Sequence, residues 1–316
     1  MRMAERPDAD EVLRRVSLFA GRPARTSPIA GGLSHHIWRV DAGGRSYLLR
    51  VLDPAVSAAG LGIPPEQEIA NTIAAAESGA GARVIEVLPD VPALILEFLP
   101  GRTLHADDVR NPAAVDRIAA ACRRLHAGPR FGNDFDILTK RRELLDICAR
   151  HGLRVPDGYH ERESTVDAIA TALQHRPQTT RPCHNDLLAE NFIDLAGDVR
   201  IVDYQLSGNN DPAFELGDIA AEADFDPDRT AALATAYFGT ETGPALVARV
   251  RLHLILSNIT WTLWFSVHHG LLRAPGSTFD YWREAADKWA RATRDLDAPE
   301  LGRLIDAAAG RTATPL

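Results

Sequence analysis

Three polar side chains in the middle of the chain have types and spacing suited to magnesium and phosphate chemistry. Asp186 is followed by Asn191 five residues later and by Asp203 twelve residues after that. The apolar segments 191–193 and 199–202 flank a short turn, which predicts a β-hairpin that brings the amide and the second carboxylate together. Magnesium prefers hard oxygen ligands and keeps several waters, so one or two protein oxygens and nucleotide phosphates complete its octahedron. The pattern therefore predicts metal-assisted phosphoryl chemistry.

The residues around these three extend the pattern. His184-Asn185-Asp186, then Asn191, then Ile201-Val202-Asp203-Tyr204 resembles the catalytic loop and metal segment of the aminoglycoside phosphotransferase and choline kinase superfamily. Those enzymes are relatives of the protein kinases, whose template is H-R-D, an Asn five residues on, and D-F-G. Asn185 stands here in place of Arg, and Asp203-Tyr204-Gln205 in place of D-F-G. The segment 207–212 resembles the bacterial choline kinase branch in particular. The alternative, polar residues in unrelated surface turns, does not account for the joint spacing.

The resemblance implies an α+β, two-lobed protein-kinase-like fold. Residues 1–99 would form a small antiparallel-sheet N-lobe and residues 100–316 a larger helical C-lobe, with ATP and Mg²⁺ in the cleft between them. The reaction would be phosphoryl transfer to a hydroxyl of a small molecule, which requires mainly positioning and charge neutralisation. The roles it implies are a catalytic base at Asp186, metal ligands at Asn191 and Asp203, and support of the catalytic loop by His184 and Glu215.

Length and composition are those of an ordinary globular protein with room for two lobes. The chain has 316 residues, of which 45% are hydrophobic and 25% charged. Its formal net charge of −8 argues against nucleic acid or an anionic membrane as a partner. It has no apolar run long enough to span a membrane and begins without a signal-peptide pattern. Its three cysteines, widely spaced and odd in number, predict reduced thiols and a cytoplasmic location.

A predicted sheet precedes the catalytic stretch and would cover the nucleotide. Gly31 and Gly32, followed by Ser34, lie between its first two strands, where backbone N–H groups can approach phosphates without a Cβ in the way. Paired glycines between strands are also plain turns, so the interpretation depends on their place ahead of the catalytic loop. The predicted strands are 27–31, 36–41, 45–52, 83–88 and 93–98.

Arg50, in the third predicted strand, takes the place of the lysine that holds nucleotide phosphates in protein kinases. Enzymes similar to choline kinase often carry arginine there. Glu68, in a helix predicted over 65–78, is the expected acidic partner, with Glu66 as the second choice. The only lysines among the 35 basic residues are Lys140 and Lys288. The fifth strand leads into a segment that resembles the hinge whose backbone pairs with adenine; its residues are Glu97, Phe98 and Leu99.

Most of the remaining sequence has helical periodicity. A short amphipathic helix is predicted before the sheet and eight helices after it. The predicted ranges are 8–19, 113–127, 135–150, 160–175, 213–223, 228–238, 244–269, 279–296 and 299–309.

Two features point to a cationic acceptor. Acidic residues occur repeatedly between Arg200 and Arg229, where no basic residue is found. Trp261 and Trp264 stand three apart and share a helix face, and tryptophan faces bind quaternary ammonium groups. A solvated acidic helix face and a buried tryptophan pair are the alternatives. The resemblance to choline kinases, which carry W-x-x-W here, adds aromatic contacts from the next helix at Phe279, Tyr281 and Trp282.

The chain departs from choline kinases just after the metal aspartate. Gln205-Leu206 replaces the Glu-Tyr pair that helps hold choline, so a carboxylate and an aromatic face are lost. A neutral Gln205 would instead hydrogen-bond an amide, a hydroxyl or a primary amine. The predicted function is an ATP- and magnesium-dependent small-molecule kinase, similar to choline and ethanolamine kinases. An aminoglycoside-type antibiotic kinase and a non-catalytic nucleotide-binding regulatory protein remain open; a protein kinase is disfavoured because little room follows Asp203 for an activation loop.

Overall fold

The computed structural model describes residues 8–29, 34–88, 90–272 and 279–311. Gly31 and Gly32, predicted to cover the nucleotide, lie outside the described residues.

An antiparallel five-stranded sheet forms the N-terminal lobe, in the order β1-β2-β3-β5-β4. Its inner face packs on α1, where Val40, Leu49 and Ile95 are fully buried. β3 is central, and it places Arg50 opposite Ile37 of β2 and Leu94 of β5. The five strands are β1 (Ala24–Pro28), β2 (His36–Ala42), β3 (Arg45–Val51), β4 (Val84–Leu88) and β5 (Ala93–Glu97).

Three helices belong to this part of the chain. α1 begins after Asp8, whose carboxylate caps it by accepting the Asp10 N–H, and α3 begins with a proline at its first position. α3 lies beside the sheet and carries Glu68 on a buried face. The helices are α1 (Ala9–Leu13), α2 (Pro54–Ala58) and α3 (Pro65–Glu77).

The C-terminal lobe is helical and is built around α10. Residues on every side of α10 are buried, as expected of a helix that is apolar all round. Among the described helices none is both long and apolar enough to cross a membrane. The helices are α4 (Ala106–Val109), α5 (Pro112–His126), α6 (Ile137–His151), α7 (Glu163–Gln174), α8 (Pro212–Glu222), α9 (Pro227–Phe238), α10 (Pro244–Val267), α11 (Tyr281–Leu296) and α12 (Leu301–Ala308), with a π-helical turn at His268–Leu272.

Two small sheets carry the catalytic stretch on this lobe. One has the order β6-β8-β9 and contains the predicted hairpin, with Phe192 opposite Ile201. The other pairs β10 with β7. Their strands are β6 (Arg102–Thr103), β7 (Arg181–Cys183), β8 (Phe192–Asp194), β9 (Val199–Ile201) and β10 (Gly208–Asn210).

The predicted five-stranded sheet, hairpin and helical lobe are confirmed, with local differences. The first strand covers 24–28 and so begins three residues before the predicted start of 27–31, because its pairing with β2 begins at Ala24 opposite Ala42. The last two residues of the predicted range, 30 and 31, lie outside the described residues. The helix predicted over 8–19 ends at Leu13, and a separate 3₁₀ turn covers Ser17–Phe19. Glu86 binds the backbone N–H of Ser17 at 2.7 Å and so holds that turn against the sheet.

Candidate active site

The catalytic loop follows β7 and is anchored by a buried carboxylate. Glu215, in the first turn of α8, accepts the backbone N–H groups of His184 and Asn185, each at 2.8 Å. His126 approaches the same carboxylate at 3.3 Å. Burial alone would raise the pKa of Glu215, but the bonds from these partners hold it below its ordinary value. An ionised Glu215 therefore fixes the loop immediately before Asp186.

His184 connects the catalytic loop to the segment that carries Asp203. Its Nδ1 accepts the N–H of Asp186 at 3.2 Å, so its Nε2–H is the donor to the Val202 carbonyl at 2.9 Å. Burial lowers the pKa of His184 and favours this neutral ring. Asn185 and Asp203 both adopt positive φ, 68° and 73°. Sharp turns of this kind, rare for non-glycine residues, let the two segments approach each other.

Asp218 holds the catalytic loop from the other side of Asp186. Its carboxylate accepts the Leu187 N–H at 2.8 Å and also binds Ser257 Oγ and Trp261 Nε1, each at 2.7 Å. It lies three residues after Glu215 on α8, so one helix face supports both sides of the loop. No motif in the sequence indicated Asp218; its spacing from Glu215 was the available signal.

Asp186 is partly exposed, and its carboxyl group lies among other acids. Burial, and next the neighbouring carboxylates of Asp218 and Glu222, raise the pKa of Asp186 well above its ordinary value, while Lys288 opposes the shift. A carboxylate of raised pKa is a better proton acceptor than an ordinary aspartate. This environment suits a group that takes a proton from a hydroxyl.

Asn191 and Asp203 lie at the two ends of the β8–β9 hairpin, where the Val202 N–H bonds to the Asn191 carbonyl at 3.0 Å. The Asn191 amide N–H donates to the Asp186 carbonyl at 2.7 Å, which leaves its Oδ1 as an oxygen donor. An amide oxygen beside a carboxylate is the donor set that Mg²⁺ prefers. The arrangement fits a magnesium site, and the metal-ligand roles of both residues stay a prediction.

Arg50 bridges two carboxylates. Its guanidinium donates to Glu68 at 2.8 and 3.0 Å and also pairs with Asp203. The pairing of Arg50 with Glu68 that the sequence predicted is present, and Glu66 is not needed for it. Burial would raise the pKa of Glu68, but Arg50 and His35 keep it below its ordinary value. Asp203 is held ionised in the same way by Arg50.

His35 is a member of this group that the sequence interpretation missed. The Asp53 N–H donates to its Nδ1 at 3.0 Å, so its Nε2–H faces Glu68 Oε2 at 3.1 Å. His35 therefore orients Glu68 from the side opposite Arg50. Its neighbour in sequence, His36, has the same residue type, and no pattern distinguishes the two.

The residues predicted to contact nucleotide lie between the lobes or at their edge. Ser34 is buried, and its Oγ has no hydrogen-bond partner among the residues that the structure describes. The Glu97 carboxylate accepts the Arg83 N–H at 2.8 Å, and Arg39 lies over the Phe98 ring at 4.9 Å. Leu99 is half-buried on the path from β5 to β6. The nucleotide-binding roles of these residues stay a prediction.

The tryptophan pair on α10 is deeply buried. Trp261 is 3% and Trp264 6% exposed. Their N–H groups point to fixed partners, Trp261 to Asp218 at 2.7 Å and Trp264 to the Leu61 carbonyl at 2.9 Å. Trp261 is connected to the catalytic loop through Asp218, whose carboxylate also accepts the Leu187 N–H. The acceptor-binding role of the two rings stays a prediction.

The other predicted acceptor residues differ in their surroundings. Arg154 lies 3.7 Å over the Trp282 ring, so one face of that ring is occupied. Phe279 is exposed and stacks on Phe265. Gln205 is 6% exposed, and its Oε1 has no partner in the described parts of the chain. Gln205 therefore offers a buried acceptor that an N–H or O–H group could satisfy.

The acidic run that follows Asp203 is largely neutralised by the protein itself. Glu215 and Asp218 bind the catalytic loop, as described above. The other pairs are Asp211 with Arg249, Glu222 with Lys288, Asp224 with Arg294 and Asp226 with Arg229. A general increase in local cation concentration, which the sequence suggested, is therefore smaller than the count of acids implies.

The model of one protein family, the phosphotransferase enzyme family, matches residues 25–253. Among curated proteins, the Haemophilus influenzae protein LicA is 25% identical over 183 residues, which cover 53% of this chain and 66% of the relative. Human ethanolamine kinase 1 is 27% identical over 226 residues, which cover 60% of this chain and 49% of the relative. The matches thus span about half to two thirds of these curated relatives.

The fold is that of solved kinases. A choline/ethanolamine kinase family protein from Mesorhizobium loti is 27% identical and superposes with a TM-score of 0.82, over 95% of this chain and 99% of the other. Structures of lower identity that share the fold include LicA in complex with AMP and an aminoglycoside phosphotransferase with ADP and hygromycin B. The kinase-like fold class predicted from the catalytic stretch is confirmed.

Proposed function

Because the chain belongs to the phosphotransferase enzyme family, we propose that it is a small-molecule kinase that transfers a phosphoryl group from ATP to a hydroxyl of an amine-bearing acceptor. The observation that carries this proposal is the catalytic loop. Glu215, His184 and Asp218 hold the backbone on both sides of Asp186 by buried hydrogen bonds. A loop fixed in this way holds the proton acceptor at the place where it must meet the substrate hydroxyl.

Nucleotide use is supported by the AMP and ADP complexes of proteins with this fold. Magnesium would be held by Asn191 Oδ1 and the Asp203 carboxylate, and when bound it would supply charge neutralisation of the transferring phosphate. Arg50, fixed by Glu68, would steady the phosphates beside it. We place the nucleotide between a lobe of residues 1–99 and a lobe of residues 100–316.

In the reaction, the oxygen of the acceptor hydroxyl would form a bond to the γ-phosphorus of ATP while the bond from that phosphorus to the β,γ-bridging oxygen breaks and ADP leaves. Asp186 would accept the proton of the hydroxyl. The raised pKa of Asp186 favours this transfer. His184 and Asn191 would keep the loop backbone still during the step, because both bond to Asp186 main-chain atoms. All three cysteines are free and buried, which supports a cytoplasmic location.

Two alternatives differ in their predicted behaviour. An antibiotic kinase would phosphorylate aminoglycosides and protect a sensitive host. A non-catalytic nucleotide-binding protein would bind ATP without turning it over. Glu222, whose charge acts on Asp186, is paired with Lys288, and this pairing favours a small acceptor over a polycation.

The test is magnesium-dependent consumption of ATP with a panel of choline, ethanolamine, amino alcohols, amino sugars and aminoglycosides, with product mass as the readout. We expect one small amine or amino alcohol to be phosphorylated, and Asp186→Asn to lower kcat by about 10²–10⁴-fold. Asp228→Asn, an exposed acid in the same stretch, is the matched control and should keep the wild-type rate. A wild-type rate in folded Asp186→Asn would refute the assigned base.

A further inference from the structure

Three side chains of metal-binding types meet beneath the catalytic loop. They are His126 at the end of α5, Cys183 in β7 and Glu215 in the first turn of α8, and their ligand atoms all lie within 4.8 Å of one another. The three residues are 4%, 0% and 0% exposed, so the group is closed to bulk water. None of them is among the ligands proposed for magnesium, Asn191 and Asp203.

The distances within this group are those expected around one metal ion. Cys183 Sγ lies 3.5 Å from His126 Nε2, and His126 Nε2 lies 3.3 Å from Glu215 Oε1. Bonds of about 2.3 Å from zinc to sulfur and of about 2.0–2.2 Å to nitrogen or oxygen place two ligands of a tetrahedral ion roughly 3.3–3.6 Å apart. One cation can therefore contact all three atoms after small movements of the side chains.

Two of these ligands have outer hydrogen-bond partners that fix their orientation. His126 Nδ1 lies 2.6 Å from Tyr237 Oη, which can accept the ring proton and leave the Nε2 lone pair for a metal. Glu215 Oε2 accepts the Asn185 N–H at 2.8 Å. Ligands in protein metal sites are commonly oriented by outer partners of this kind.

The ligand types select the class of cation. A thiolate and an imidazole favour zinc and other borderline or soft divalent ions, whereas magnesium prefers oxygen ligands alone. Burial raises the pKa of the Cys183 thiol well above its usual value, so the thiol keeps its proton until a cation displaces it. A dication with one thiolate, one carboxylate and a neutral imidazole has no net charge, which lowers the cost of placing it in a buried site.

The group is closest to the surface on the side of α9. Tyr237 of α9 packs edge-to-face on His126, with ring centroids 5.3 Å apart, and is itself only half-buried. A local opening at this ring gives a cation access without unfolding of the lobe.

We propose that His126, Cys183 and Glu215 form a binding site for one divalent cation of the zinc class. Binding forms metal bonds to Cys183 Sγ, His126 Nε2 and Glu215 Oε1 and releases the thiol proton to solvent, while the neutral imidazole keeps its proton on Nδ1. Glu215 Oε1 has two lone pairs, so it keeps the His184 N–H while the cation replaces His126 as its other partner. The cation joins α5, β7 and α8 beneath the catalytic loop and stabilises the fold.

The test uses the whole chain, kept reduced and stripped of metal with a chelator. We expect Cd²⁺ and Co²⁺ to produce a thiolate-to-metal charge-transfer band that saturates at one equivalent and survives an excess of Mg²⁺. Zn²⁺ in roughly 100-fold excess over its Kd should raise the melting temperature by at least about 3 °C. X-ray absorption of the zinc-loaded protein should show sulfur at about 2.3 Å together with nitrogen or oxygen at about 2.0–2.2 Å.

Two variants and a matched control locate the site. Cys183→Ser should abolish the charge-transfer band and weaken zinc binding by at least about 100-fold, since loss of an outer partner alone costs about 10–100-fold. Tyr237→Phe removes only such an outer hydroxyl and should weaken zinc binding by about 10-fold. Cys148→Ser, at another buried cysteine on α6, should keep the wild-type band and affinity. Thermal melts establish that each variant is folded.

A zinc shell of nitrogen and oxygen alone in the wild type would overturn the site, because such binding uses other residues. A band that persists in folded Cys183→Ser would also overturn it. Where Cys183→Ser does not fold, unchanged zinc affinity in folded Tyr237→Phe has the same meaning. None of these results affects the proposed phosphotransferase function, which does not depend on a cation at this place.

Discussion

Asp218 is a carboxyl group whose environment contains opposing influences. Burial and, next, the nearby Glu222 raise its pKa to about 7, while the hydrogen bonds from Ser257 and Trp261 and the charge of Lys288 act against that rise. Three donors converge on this one side chain, Leu187 from the catalytic loop and both Ser257 and Trp261 from α10. Its protonation state therefore matters for both the catalytic loop and α10.

The raised pKa of Asp218 predicts a pH dependence of stability. The folded protein holds a proton that the unfolded chain releases above about pH 4, so the contribution is complete below that pH. It is lost as pH rises through about 7, with a slope of at most about 1.4 kcal/mol per pH unit. Asp218→Asn should reduce this slope in urea unfolding between about pH 4 and 7. Asp228→Asn should keep it, and an unchanged slope in Asp218→Asn would contradict the prediction.

Single residues of the site were predictable where a motif marks them. The pairing of Arg50 with Glu68 was predicted from the resemblance to the kinase template, and the structure contains it. His35 and Lys288 were missed because their roles come from three-dimensional neighbours 33 and 66 residues away. No local pattern distinguishes such a residue from others of its type.

At the scale of elements, α8 is the support of the catalytic loop. Glu215, Asp218 and Glu222 recur at helical spacing and so share one face, which is turned towards Asp186 and its neighbours. The helix begins at a proline after Asp211, which caps it by accepting the Ala213 N–H at 2.8 Å. The position of this cap determines which residues face the loop.

Glu215→Gln tests this support. A glutamine presents one N–H₂ group where the carboxylate accepts backbone N–H bonds from both His184 and Asn185, so one buried donor loses its partner. We expect a loss of about 2–3 kcal/mol in the free energy of unfolding and a lower kcat. Glu241→Gln, at an exposed acid in a 3₁₀ turn, should change neither quantity. Denaturant melts and steady-state rates provide the two measurements.

Long elements were easier to predict than short ones. The periodicity of α5, α10 and α11 extends over several turns, and their predicted ranges agree closely with the observed bounds. The two- and three-residue strands β6, β7 and β10 were not predicted, because such strands exist only through pairing with distant segments. The sequence contains too few residues in each to establish a period.

At the scale of the whole molecule, buried hydrogen bonds connect the two lobes. Asn71 of α3 donates to Asn133 Oδ1 at 2.8 Å and to Ser207 Oγ at 2.9 Å. Trp264 binds the Leu61 carbonyl, and the Ile201 N–H binds Ala80 at 2.9 Å. These bonds join segments far apart in sequence, so sequence patterns alone could predict two lobes but not how firmly they are joined.

Such connections predict that the lobes unfold together. We expect a single calorimetric transition with equal calorimetric and van't Hoff enthalpies. Asn71→Ala should lower the transition temperature while keeping one transition, because several other inter-lobe bonds remain. Asn111→Ala is the control. It also removes an amide side chain, but that side chain caps a helix within one lobe and is not one of the bonds between the lobes. Two resolved transitions in the wild type would contradict this prediction.

The bridge made by Arg50 has a consequence for the order of ligand addition. In the structure, Arg50 is the counter-ion of Asp203. A divalent cation arriving alone would compete with that guanidinium for the carboxylate and gain little. Nucleotide phosphates offer Arg50 another anionic partner and thereby release Asp203. Free magnesium should therefore bind weakly by itself, and metal and nucleotide should enter as one unit, with calorimetric titration of each alone and of the two together as the measurement.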